Sequence, residues 1–343
     1  MQAFELDLVG KRQSLADIIA NIQTTTTPFT SMLAKRTKPI NQPHSWQAEI
    51  YPDVDSIGVP DGQDVEKFDS VPRYLLQVYS QKFWRNPAVS DFADEAEIAG
   101  AAGGEMARQK AVAMILLKRK MEQQCLSADD TAVNTGTVGY TTRGAFCWIS
   151  NAAQGLQSTF PVPTQVQTPA AQIYTDILAN FKEGTANPGT GSGFAAMCAS
   201  SYIQRKGPLT MDAFLGIYLK QVFTMFTTYA ENKANYTSVR QFMRPGDDKT
   251  LEAVVDELVT DTGVIRLHPS SYLRKNTSTG ADTAYTHRSG IVVDMDMCGL
   301  AYTRLPRIVP QEYKGGGPRA ICDAIAMLMF DNPLGAMKME IQS

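Results

Sequence analysis

Histidine is nearly absent from this 343-residue chain, which has only His44, His268 and His287. None stands near another histidine, a cysteine or a paired carboxylate at ligand spacing, which argues against catalytic histidine and against a zinc site. Cysteine is scarce and scattered. Cys125, Cys147, Cys198, Cys298 and Cys322 are odd in number and include no CxxC pair, so the chain reads as the product of a reducing compartment with buried thiols, not as a disulfide framework. An excess of charge of one sign is lacking too. With 32 basic and 35 acidic residues, no global field recruits nucleic acid or an anionic membrane. The longest apolar run, Ala111 to Leu117, falls far short of the roughly 20 residues that span a bilayer. The opening MQAFELDLVGKR carries acids where a secretory signal carries bases. A soluble protein made in the cytoplasm, without membrane contact, is expected.

Motifs of cofactor and metal chemistry are equally sparse. In GTGSGF the glycines Gly189, Gly191 and Gly193 precede an apolar run instead of following a strand, and no Lys-Ser/Thr pair follows them, so a turn is expected and not a phosphate cradle. Gly315, Gly316 and Gly317 read as a flexible connection. Asp247-Asp248 and Asp294/Asp296 lack the surrounding oxygen ligands of a calcium loop. No internal repeat is visible.

What is present looks like appendages attached to a core. At about 100 to 200 residues per domain, the chain has room for two compact regions besides them. The N-terminal stretch from Ser14 has Leu15, Ile18, Ile19 and Ile22 at helical spacing, yet a helix this short is unstable alone. It is followed by a threonine-rich corner closing on Pro28-Phe29. From Trp46 to Tyr51 a short strand is expected. The segment PDVDSIGVPDGQDVEKFDSVP then has three prolines, two glycines and five aspartates, the composition of a long excursion. A strand over Tyr74–Trp84 brings the chain back, so the whole reads as a two-stranded flap. Such a ribbon is marginal in water, and a neighbouring chain is expected to support it. Trp46, Trp84 and Trp148 lie in strand-like contexts as core or interface anchors.

Asp91 to Leu126 gives the longest helical pattern, with an apolar stripe of Ala107, Ala111, Met114, Leu117, Met121 and Cys125. Acids occupy its first half; Arg108, Lys110, Lys118, Arg119 and Lys120 follow, with no acid until Glu122, an order that suits the helix dipole. Gly100, Gly103 and Gly104 interrupt it and mark a bend or a close backbone crossing. Further on, residues 135–150 read as strand-like, 169–182 as an amphipathic helix, Phe194–Cys198 as an apolar strand and Leu215–Phe226 as a helix. Thr250–Leu267 reads as a hairpin turning at Asp261-Thr262-Gly263. Ile291–Val293 and Leu300–Tyr302 are short strand candidates, and Ala320–Phe330 is a long one.

The order of these segments resembles the major capsid proteins of tailed phages. The likeness is carried by LADIIANI, the TTPFTSML corner, HSWQAEIY, the YLLQVYSQKF return with AVS, and the helix ending LLKRKMEQQ. GAFCWIS, TLEAVVDELVTDTGVIRLHPSSYL, LAYTRLPRIVPQE and DNPLGAMKMEI follow in the same order. Each motif is weak, and specificity comes from order and spacing over about 300 residues; between Lys206 and Arg244 this chain departs from the pattern. The resemblance implies an α+β fold of the HK97-like type: an N-terminal arm at 1–45, an extended loop at 46–88, a peripheral domain with a spine helix at 89–170 and 304–343, and an axial domain at 171–303. It implies a structural subunit with no catalytic site and no cofactor. That subunit would self-assemble into pentamers and hexamers of a phage head enclosing double-stranded DNA, with scaffold, portal and decoration proteins as candidate partners. Leu15, Ile18, Ile19, Ile22, Phe29, Trp46, Tyr74 and Trp84 are then expected at inter-subunit contacts. Arg108, Lys110, Lys118, Arg119 and Lys120 are expected to face packaged DNA, weakly and non-specifically. Two alternatives are an encapsulin-like nanocompartment shell holding a cargo enzyme, and a cytoplasmic α/β enzyme.

Overall fold

The computed structural model describes residues 26–52, 58, 61–62, 64, 70–96, 104–150, 160–167, 193–228 and 256–340. The predicted helices at Leu15–Ile22 and 169–182, most of the tip of the flap and Asp247-Asp248 lie outside the described residues. In chain order the elements begin with α1 (Pro28–Met32), β1 (Ala34–Arg36), β2 (His44–Glu49), β3 (Arg73–Val78), β4 (Gln81–Arg85), α2 (Asp91–Glu95), α3 (Glu105–Cys125) and α4 (Ala145–Trp148). They continue with α5 (Phe194–Arg205), β5 (Leu209–Leu215), α6 (Ile217–Thr228), β6 (Glu257–Thr260), β7 (Gly263–Pro269) and β8 (Gly290–Val293). The last are β9 (Cys298–Pro310), β10 (Ala320–Phe330) and β11 (Ala336–Met339). The strands form a four-stranded sheet of order β1-β9-β10-β4, a five-stranded sheet of order β11-β8-β5-β7-β6, and the β2-β3 ribbon.

By packing the chain divides into two units. The smaller contains Trp84–Arg119 and Pro306–Ala324. Its core is Val89, Met106 and Ala320, with Ala93 against them. Backbone bonds from Val89 to Pro318 (3.1 Å) and from Ala320 to Pro87 (3.0 Å) tie its two segments together. Gly317 is required at this crossing. Its φ is +99°, and a Cβ there would lie 2.0 Å from the Val89 carbonyl oxygen.

The larger unit contains Thr27–Phe83, Lys120–Leu305 and Ile325–Ser343. In its five-stranded sheet β5 runs parallel to β7, from Leu209↔Gly263 to Leu215↔Pro269, and antiparallel to β8. The β6–β7 hairpin turns at Asp261-Thr262, as the sequence predicts, and its Gly263 leaves room for Leu209: an added Cβ would sit 2.0 Å from the Leu209 carbonyl oxygen. Phe194 packs edge-on against Phe223 at 4.8 Å. β8 and α6 fall where expected, and β10 matches its predicted span, since its apolar run is covered on both faces.

Several expectations are corrected. The single helix over Asp91–Leu126 is two helices: Ala96 after α2 is extended, Gly104 has φ +92°, and the Asp94 carboxylate accepts the Met106 amide at 3.3 Å in the first turn of α3. The long helix therefore has 21 residues, about 31 Å at 1.5 Å per residue. Its buried stripe is also rotated. Ala107 and Ala111 are exposed, while Met106, Ala113, Leu117, Met121 and Cys125 are buried, because a methionine side chain has more apolar area to bury than an alanine.

Residues 145–148 form one helical turn, not a strand, with Phe146 and Trp148 buried. One turn is too short to show a helical period. The Phe194–Cys198 run opens a 12-residue helix whose buried Phe194, Met197, Cys198 and Ser201 follow helical spacing; a short apolar run leaves helix and strand undecided. The return of the flap breaks at Tyr79-Ser80 into β3 and β4, which join different sheets. Leu300–Tyr302 is part of a 13-residue strand whose second half is half-exposed and escapes an apolar pattern.

Candidate functional site

Thr27-Pro28-Phe29 begins a single helical turn. Pro28 at its first position has the right φ and no amide to satisfy. Thr27 does not cap the turn with its side chain; its hydroxyl lies 3.3 Å from that of Ser31, which donates to the Thr27 carbonyl at 2.6 Å. The free amides go elsewhere. Phe29 N–H and Thr30 N–H donate to the two carboxylate oxygens of Glu122 at 2.8 and 2.7 Å, and the Thr30 side chain hydrogen-bonds the same group. Glu122 is 0 % exposed, and burial raises its pKa while these donors pull it down.

The chain after this corner stays on its own subunit. Phe29 is 0 % exposed and meets Phe214 edge-on at 5.1 Å. β1 pairs in parallel with β9, Ala34↔Gly299 to Arg36↔Ala301, and Arg36 reaches the Asp331 carboxylate at 2.6 Å and the Asp296 carbonyl at 2.5 Å. Phe29 is thus corrected from an inter-subunit contact to a core residue of its own subunit, since no ring surface remains for a neighbour. Leu15, Ile18, Ile19 and Ile22 lie outside the described residues.

The base of the flap is anchored likewise. β2 and β3 pair from His44↔Val78 to Glu49↔Arg73. Trp46 Nε1–H donates to the Phe330 carbonyl at 3.1 Å and its ring lies 5.5 Å from Trp148; Tyr74 meets Phe160 at 5.3 Å. Both rings are half-buried against their own chain. Trp84 differs: it is 50 % exposed on β4.

The five basic residues of α3 do not form an open basic stripe. Arg108 bonds Glu105 through Nε at 2.9 Å and a second, shorter contact, and these hold the Glu105 carboxyl at about 2. Lys110, Arg119 and Lys120 are half-buried and Lys118 is exposed. Sequence reasoning missed Phe92 on α2, 92 % exposed, and Glu122, whose only signal was an acid ending a basic run.

Little here suits chemistry. His268 meets Asp212 at 3.0 Å and stacks on Phe214, and His287 meets Asp282 at 3.3 Å. Burial pushes the Cys147 thiol to about 11 and Cys198 to about 12, with Cys125, Cys298 and Cys322 also raised. Thiols so shifted are protonated and unreactive at neutral pH. Among the described residues no group of three or more His, Cys, Asp or Glu is placed to hold a metal, and no helix is long and apolar enough to cross a membrane.

A family model described as SU10 major capsid protein matches residues 2–317. The chain belongs to that family. It is a structural capsid protein of a phage virion and not an enzyme. Solved structures agree on the fold. The Cyanophage A-1(L) capsid asymmetric unit matches with a TM-score of 0.58 at 13% identity over 98% of each chain. A chain of Gordonia phage Cozz matches at 0.56 and 11% identity, covering 97% of this chain and 92% of that one. A chain described as "Capsid of native GTA particle computed with C5 symmetry" matches at 0.55 and 9% identity over 98% and 96%. Among curated proteins nothing matches. The capsid subunit thus has the mixed helix-and-sheet, HK97-like fold of these neighbours, and it assembles with copies of itself into a capsid lattice.

Proposed function

We propose that copies of this subunit form pentamers and hexamers that tile a closed head around double-stranded DNA. In this reading residues 1–45 are the arm, 46–88 the extended loop, 89–170 with 304–343 the peripheral domain, and 171–303 the axial domain. The observation that carries it is the anchoring of two appendages by their roots. The Thr27–Phe29 corner and the β2–β3 base are built into the subunit, while the sequences they lead to, residues 1–25 and 53–69, have the compositions of segments that do not fold alone. Leu15, Ile18, Ile19 and Ile22 in the arm, and Trp84 with its exposed ring, supply the apolar area for neighbours. Packaged DNA is met weakly, through exposed cations such as Lys118 and not through a continuous basic face. Scaffold, portal and decoration proteins complete the assembly.

Replacing both Ile18 and Ile22 by Asp tests the reading. Closed particles should vanish from electron micrographs of the purified protein while far-UV circular dichroism stays native. Loss of the subunit fold, or normal particles from the double variant, overturns it.

A further inference from the structure

We infer that Glu122 is a positioning residue for assembly, a buried clasp that fixes the place from which the arm leaves the subunit. The inference rests on the reading of residues 1–25 as an inter-subunit arm. It is built from geometry inside the subunit. Glu122 sits on the last turn of α3, fully buried, and spends both carboxylate oxygens on consecutive amides of one corner more than ninety residues earlier in the chain.

A buried carboxylate is a costly way to stabilise a fold. An apolar residue of similar volume usually does as well or better, so a buried charge is explained by the geometry it specifies. Here it specifies a turn too short to hold itself. α1 has five residues, its Thr27 offers no side-chain cap, and the Thr27 hydroxyl is engaged with Ser31. The Phe29 and Thr30 amides are left without intrahelical acceptors, and Glu122 meets both. Nearby Cys125 does not compete: burial and the Glu122 charge raise its pKa, so it stays neutral. Phe29 under Phe214 and the β1–β9 pairing hold the corner by area and ladder. Glu122 adds orientation, because two acceptors on two successive amides leave the turn one rotational setting.

The test uses the full chain, with amide hydrogen exchange on unassembled subunits and electron microscopy of particles, for wild type, Glu122→Gln, Glu122→Ala and the Ile18→Asp/Ile22→Asp double variant. In wild type the Phe29 and Thr30 amides should be protected like the core amides of Leu117 and Met121. Exchange at one of them should rise about tenfold in Glu122→Gln, which keeps one acceptor, and at both in Glu122→Ala. Aberrant or unclosed particles should increase in the same order. Unprotected Phe29 and Thr30 amides in wild type refute the clasp even if no variant folds. Exchange within about twofold of wild type in both variants refutes it as well. Normal shells from subunits with a freely exchanging corner refute its role in assembly. Normal shells from the Ile18→Asp/Ile22→Asp variant refute the arm reading instead and leave the exchange data to judge the clasp.

Discussion

The arm root and the flap base lead to the same kind of segment and are held by different physics. At the root a single turn is fixed by a few residues: Glu122 on two amides, Phe29 under Phe214, and three residues of β1 along β9. At the base a six-residue ribbon is held along its length, with Ala48, Leu76 and Val78 buried and the Trp46 and Tyr74 rings packed on Trp148 and Phe160. Point anchoring concentrates energy in single side chains, and ladder anchoring spreads it. A root of this kind is sensitive to one substitution where the base tolerates several.

The largest effect should therefore come from the root. Phe29→Ala empties a fully buried ring site and should cost about 3 to 5 kcal/mol, read as a fall in the denaturant midpoint of the unassembled subunit. A change below about 1 kcal/mol would show that the ring's site collapses and the root is not point-anchored. Trp46→Phe at the base should cost only about 1 kcal/mol, because it keeps most of the ring and loses one hydrogen bond to the Phe330 carbonyl. A loss as large as that of Phe29→Ala would erase the contrast.

The smallest effect is the pH dependence of the root, because the Phe29 and Thr30 donors oppose the burial that raises the Glu122 pKa. The net shift is upward, so the folded subunit binds this proton more readily than the unfolded chain. The contribution is full below the ordinary glutamate value of about 4.3 and is lost as pH rises through the folded value. Relative to Glu122→Gln, wild type should gain stability as pH falls from neutral toward that ordinary glutamate value. A relative loss over that range would mean that the hydrogen bonds outweigh desolvation.

Legibility in the sequence tracked how local each cause was. Ala320–Phe330 reads as a strand because it is apolar except at Asp323, and burial on both faces makes that run the main signal. The β6–β7 hairpin reads from Asp261-Thr262-Gly263 because turn chemistry is local. Phe194–Cys198 misleads because five apolar residues fit either period, and the helix is decided by residues beyond them. Phe29 was visible as an anchor but not what it anchors to. Glu122 showed only as an acid ending a basic run, since its partners are backbone amides, which leave no trace in side-chain identity.

The sequence by itself determined the family, the mixed fold, the absence of motifs for catalysis, and the marginal composition of two segments, residues 1–25 and 53–69. The family and fold were legible through the resemblance of motif order and spacing over most of the chain, and the rest through composition and period. Only the tertiary structure decided that the corner and the ribbon base belong to the subunit's own core, that α3 begins at Glu105 with its buried stripe through Met106, and that an acid closing a basic run reaches back to hold Phe29 and Thr30. Those outcomes depend on which surfaces compete for the same burial, and residues distant in the chain meet in that competition only once it folds.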